Sequence, residues 1–144
     1  MKLIYQRTGA KTGDPGDCFA ACIASVMDMG LAAIPNFNQT TGNGHLVTPV
    51  GTRKLRKWLA PHGHTYAEFG FQLPTLNNLL ENMHNVMPET TYLLIGRTNT
   101  YHIHCVVAKG GAVVHDPATP AGEHSIRGPC HDGYWRVGLF LWNR

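Results

Sequence analysis

Apolar residues recur along the chain in two rhythms, and the change comes near Pro88. In "CFAACIASVMDM", residues 18–29, Phe19, Cys22, Ile23 and Val26 fall at i, i+3, i+4 and i+7, with alanines between them. That spacing lines one face of an α-helix. Asp17, just ahead, is a residue type that caps helix N-termini. A second helical pattern covers 50–60 and stops before Pro61-His62-Gly63. "HTYAEF", 64–69, reads as a strand, and Leu73-Pro74-Thr75 opens a third helix running to about Met83. Leu76, Leu79 and Leu80 mark its inner side. Beyond Pro88 the apolar runs become short and β-branched, and 90–96, 102–109, 112–117 and 134–142 read as strands. Residues 4–6 form a short extended piece. "KTGDPGD", 11–17, and "NFNQTTGNGH", 36–45, are loops by their Gly, Pro, Asn and Asp content. Helices first and a mostly antiparallel sheet second predict an α+β fold. Repeats and low-complexity segments are absent, so residues 1–144 read as one domain.

Composition narrows this picture. With 43% apolar and 15% charged residues, the chain has the makings of a packed core and not of a disordered segment. The formal net charge of +3 is a mild basic excess that requires no anionic partner. The basic cluster "RKLRKW", 53–58, falls on a helix where Leu55, Trp58 and Leu59 take the inner face and the charges the solvated one. No nucleic-acid partner is expected. No stretch reaches the length of a membrane span, and the apolar run in "MKLIYQRTG" is too short for a signal peptide, so a cytoplasmic protein is expected. Cys18, Cys22, Cys105 and Cys130 show no disulfide-framework spacing and are expected as free thiols. Neither GxxxxGK[ST] nor GxGxxG is present, and no cofactor is implied.

The chemistry starts at "GDC", residues 16–18. A cysteine at a helix start faces the free N–H groups of the first turn. The positive end of the helix dipole favours the thiolate, which is the nucleophilic form. Cys22, one turn further in, reads as a small core residue.

A thiol nucleophile needs a base, and the base needs an orienting group. "HIHCVVAKGGAVVHDP", residues 102–117, offers both. Lys109-Gly110-Gly111 reads as a tight turn between two strands. A three-residue loop with Gly111 left-handed sets His104 opposite Asp116, where Cβ atoms lie ~5 Å apart. A two-residue Gly110-Gly111 turn sets Cys105 there instead. His102 shares a strand face with His104 and competes as base. His115 points to the other face, and His124 and His131 fall in a turn-rich, solvated segment. Zinc is a rival use of Cys18, Cys22, His102, His104, Cys130 and His131, although CxxC, HxxxH and HExxH are all missing.

"DCFAACIASVMDM…IPNF" followed by "HCVVAKGGAVVHDP" resembles the papain-like cysteine peptidase superfamily, and within it the small branch of bacteriocin-processing peptidase domains and similar phage and bacterial proteins. The motifs span residues 6–117 and the closing strand. The resemblance implies a papain-like α+β fold, with N-terminal helices packed on a mostly antiparallel sheet. It implies Cys18 as nucleophile, His104 as general base and acid, and Asp116 as orienter. It further implies a glutamine upstream as oxyanion donor, with the Cys18 amide as a second. Gln6 is the only glutamine before Cys18, and its gap of twelve residues is longer than the roughly six usual in that branch.

The expected activity is therefore hydrolysis of a peptide, an isopeptide on a conjugated modifier, or a peptidoglycan amide. Deamidation or transglutamination on the same triad, and a catalytically inactive protein-binding module, are the alternatives. Trp58, Phe69, Phe71, Tyr101 and the 36–45 loop are candidates for lining a cleft.

Overall fold

The structure is a computed structural model that describes residues 1–6, 17–35, 37 and 49–142. Most of the 36–45 loop and most of the 11–17 loop lie outside those residues.

Among the described residues there are three α-helices and five strands: α1 (Cys18–Met27), α2 (Pro49–Leu59), β1 (His64–Phe71), α3 (Leu76–Val86), β2 (Thr91–Arg97), β3 (Ile103–Lys109), β4 (Ala112–His115) and β5 (Trp135–Trp142). The strands form one sheet in the order β1-β5-β2-β3-β4. Each neighbouring pair is antiparallel. The fold is α+β, as the pattern predicts. No helix among the described residues is long and apolar enough to cross a membrane.

Local chemistry explains most boundaries. α1 is apolar on nearly every side and ends where Asp28 turns left-handed at φ 53°. α2 buries Gly51, Leu55 and Leu59 and leaves Arg53, Lys54, Arg56 and Lys57 exposed. That is the solvated basic face the sequence predicts. α3 starts three residues later than Leu73, because Thr75 caps it: Thr75 Oγ1 accepts the Asn78 N–H at 3.1 Å. Asp17 does not cap α1 in this way. Its side chain makes no capping hydrogen bond, and its carbonyl accepts the Ala21 N–H at 2.9 Å.

The sheet is covered on both faces. Leu93, Ile95, Cys105 and Val107 pack with α1 and α2. Leu94, Val106 and Ala108 alternate with them and pack with Leu79 and Met83 of α3. The helices therefore form two layers around the sheet. β1, between α2 and α3 in sequence, becomes the edge strand beside β5. Phe69 and Phe71 sit on that edge, four strand positions from β4, and are exposed. Trp58 packs against Phe37 and His62.

The β3–β4 hairpin decides between the two turns that the sequence allows. Lys109 pairs with Ala112 and Ala108 with Val113, so the loop is the two-residue Gly110-Gly111 turn. Gly110, not Gly111, carries the positive φ, 54°. A Cβ at Gly110 would lie 2.3 Å from the Pro88 carbonyl oxygen, so glycine is required sterically as well. The register then slips. Val107 pairs with His115, and Val114 is the extra residue of a β-bulge.

Candidate functional site

The bulge decides which side chains meet. Without it, the two-residue turn would set Asp116 beside Cys105. One extra residue reverses the parity. Continued by one position, the register sets Asp116 level with Val106, whose face His104 shares. The pair is thus diagonal and not directly opposite. β4 stops at His115 and pairs with only Val107, Ala108 and Lys109, so the start of β3 has no β4 partner. His104 and Asp116 meet in that gap, with His104 Nε2 2.7 Å from Asp116 Oδ1.

Both residues are buried, His104 at 6% exposure and Asp116 at 2%. Asp116 is held by more than the imidazole. Its Oδ1 also accepts the Ala118 N–H at 2.8 Å. Its Oδ2 accepts the Ser125 N–H and the Ser125 hydroxyl, each at 2.7 Å. Ser125 escapes sequence reasoning because nothing in "EHSIRG" marks it. The Ala118 contact is legible, since an Asp bonding the N–H two residues on is an Asx turn.

Cys18, at the start of α1, is coupled electrostatically to the same imidazole. With Nε2 engaged by Asp116, Nδ1 is the nitrogen left for the thiol. Cys18 is buried in the core layer at 4% exposure.

The electrostatics follow. Burial alone would lower the pKa of His104. Its hydrogen bond to Asp116, and its interactions with the negative charges of Cys18 and Asp116, outweigh burial and raise it to about 10. For Asp116, burial pushes upward, but the His104 hydrogen bond and charge, with the Ser125 and Ala118 donors, hold the carboxyl well below the usual carboxylate range. The other thiols differ. Burial pushes Cys22 up, and its Sγ donates to the Cys105 carbonyl at 3.3 Å. Burial likewise pushes Cys105 well up and Cys130 up. These three are held as neutral thiols.

Gln6 comes beside this network through its backbone. Its N–H donates to the Pro117 carbonyl, one residue past Asp116, at 3.0 Å. The residue is half-buried, with Oε1 shielded from solvent. The competing histidines lie elsewhere. His102 is exposed and its Nδ1 contacts Thr100 Oγ1 at 3.0 Å. His115 turns to the N-terminal segment, where its Nε2 donates to the Ile4 carbonyl at 2.6 Å. His131 is exposed, whereas His124 is half-buried and not solvated. Tyr101 is 63% exposed and stacks under the Arg97 guanidinium. Among the described residues no three His, Cys, Asp or Glu side chains converge as metal ligands.

No family model, curated protein or solved structure matches the chain.

Proposed function

We propose that this protein is a papain-like cysteine hydrolase that cleaves an amide bond, with Cys18 as nucleophile, His104 as general base and acid, Asp116 as orienter and Gln6 as oxyanion donor. One observation carries the reading: a single buried imidazole is hydrogen-bonded to a buried carboxylate at 2.7 Å and is coupled electrostatically to Cys18. A nucleophile, a base and a group that fixes the tautomer of the base are what acyl transfer requires.

The steps follow from the arrangement. Cys18 sulfur bonds the carbonyl carbon, and the C=O π pair moves to oxygen. The Cys18 N–H and the Gln6 side-chain amide donate to that oxygen. Collapse breaks the C–N bond, and the imidazolium of His104 protonates the leaving amine. Water then attacks the thioester while His104 takes its proton, and Cys18 leaves as thiolate. Asp116 holds Nε2 throughout, so that Nδ1 faces the reacting atoms. The substrates that fit are a peptide, an isopeptide or a peptidoglycan amide. All four cysteines are unpaired, which suits a reducing compartment such as the cytoplasm.

The test combines labelling with turnover. Iodoacetamide near neutral pH, read by mass spectrometry, is expected to modify Cys18 ahead of Cys22, Cys105 and Cys130. Casein peptides, an isopeptide-linked peptide pair and peptidoglycan fragments are then screened, with Cys18→Ala as control. Turnover lost in Cys18→Ala supports the reading. A Cys18 no more reactive than the other three thiols overturns it.

A further inference from the structure

Hydrogen bonds tie down the backbone of the first six residues. The Lys2 N–H donates to Asp28 Oδ1 at 2.8 Å. The Ile4 N–H donates to Ser25 Oγ at 3.0 Å, and the Ile4 carbonyl accepts from His115 Nε2 at 2.6 Å. The Gln6 N–H donates to the Pro117 carbonyl at 3.0 Å. The segment therefore bridges α1 and the end of β4, the two elements that carry Cys18 and lead into Asp116.

Both backbone groups of Ile4 are claimed by buried side chains. Ser25 is 0% exposed and His115 5%. Ser25 spends its hydroxyl proton on the Ala21 carbonyl, 2.9 Å away, which leaves an oxygen lone pair for Ile4. His115 spends its Nε2 proton on a main-chain carbonyl and packs edge-on against Tyr5, with ring centroids 4.9 Å apart. An extended chain advances about 6.6–6.8 Å over two residues. A shift at Ile4 is thus carried directly to Gln6.

We infer that Ser25 and His115 are positioning residues that set the Gln6 amide against the reacting carbonyl by holding both backbone groups of Ile4. The inference rests on the proposed hydrolase reading and adds to it the part of the molecule that builds the oxyanion site. The same contacts tie the oxyanion donor to the Asp116 side of the triad, because Gln6 and His115 flank the Asp116-Pro117 pair.

Two probes separate positioning from folding. Iodoacetamide alkylates Cys18 by displacing iodide at a saturated carbon, with no oxyanion. p-Nitrophenyl acetate acylates it through one: sulfur bonds the acetyl carbon, the carbonyl pair moves to oxygen, and collapse expels p-nitrophenolate. Both rates are measured for the parent, Gln6→Ala, His115→Phe, His115→Gln, Ser25→Ala and the double variant Gln6→Ala/His115→Phe, each against Cys18→Ala background. Gln6→Ala is expected to lower acylation by up to about 10²-fold with alkylation unchanged. His115→Phe and Ser25→Ala are expected to lower the same rate. The double variant is expected to match Gln6→Ala alone, and His115→Gln, which keeps an N–H donor, to recover most of the loss. Additive losses, a parallel fall in alkylation, or an unaffected Gln6→Ala overturn the inference while leaving the triad standing. No Cys18-dependent rate with either probe overturns the hydrolase reading, and the inference falls with it. If His115→Phe does not fold, Ser25→Ala with Gln6→Ala completes the same cycle.

Discussion

His104 and Asp116 are joined side chain to side chain at 2.7 Å, although the strands that carry them do not pair the two residues backbone to backbone. The β-bulge at Val114 restores the shared face that the two-residue turn would have lost. The site therefore depends on an irregularity in β4, and on the donors that hold Asp116 beyond it.

The first prediction separates His104 from His102. His104→Ala is expected to slow iodoacetamide modification of Cys18 near neutral pH by about tenfold or more, since the imidazolium that favours the thiolate is lost. His102→Ala, which removes only an exposed contact with Thr100, is expected to change it less than about twofold. Equal effects would place the base elsewhere.

Asp116→Asn tests the buried carboxylate. An Asp-Pro turn read from sequence alone predicts little change in stability. The four donors around Asp116 reverse that expectation. An amide has one acceptor oxygen and must turn N–H groups toward donors that already point at it. Breaking a buried charged pair in this way costs about 3–5 kcal/mol. Ser125→Ala removes only the hydroxyl donor and is expected to cost about 1.5–3 kcal/mol. Urea unfolding of both variants, with Cys18 alkylation rates beside it, checks this. Unchanged midpoints would mean that the Asp116 network contributes no stability.

The third prediction is a pH dependence of stability. His104 titrates near its ordinary 6.5 when unfolded and at about 10 when folded. Its contribution is therefore complete below about 6.5 and is lost as pH rises through about 10. Asp116, held low when folded, contributes above its ordinary 3.8 and loses that contribution as pH falls toward its folded value. Unfolding free energy measured between about pH 6 and pH 10 is expected to fall more in the parent than in His104→Gln. Parallel curves would show that His104 carries no charge-linked stability.

Gly96 is the backbone partner of His104, and a Cβ there would lie 2.6 Å from the Gly128 carbonyl oxygen and 3.1 Å from the Trp135 ring. Gly96→Ala is expected to push the segment at Ile126 and Gly128 outward, and with it Ser125. The expected cost is about 1–3 kcal/mol, with slower Cys18 alkylation. A variant as stable and as reactive as the parent would mean that this contact relaxes freely.

Local periodicity carried the secondary structure. The expected helix over 18–29 is Cys18–Met27, that over 50–60 is Pro49–Leu59, and the strand over 134–142 is Trp135–Trp142. These elements are legible because burial of one helix face, or of alternate strand positions, writes its period into a few neighbouring residues. Residue type was enough to single out Cys18, His104 and Asp116 as chemistry worth joining. Only the tertiary structure decided how they join. A bulge of one residue leaves no mark in the pattern, yet it determines whether Cys105 or His104 shares a face with Asp116. Ser125 reaches Asp116 across nine residues, Ser25 reaches Ile4 across 21, and His115 reaches Ile4 across 111. Such contacts depend on where whole elements pack, and a chain read from neighbour to neighbour holds no record of that. The two-layer cover of the sheet has the same origin. α3 reads as an amphipathic helix in sequence, but the face of the sheet it covers is set by the crossover that places β1 beside β5.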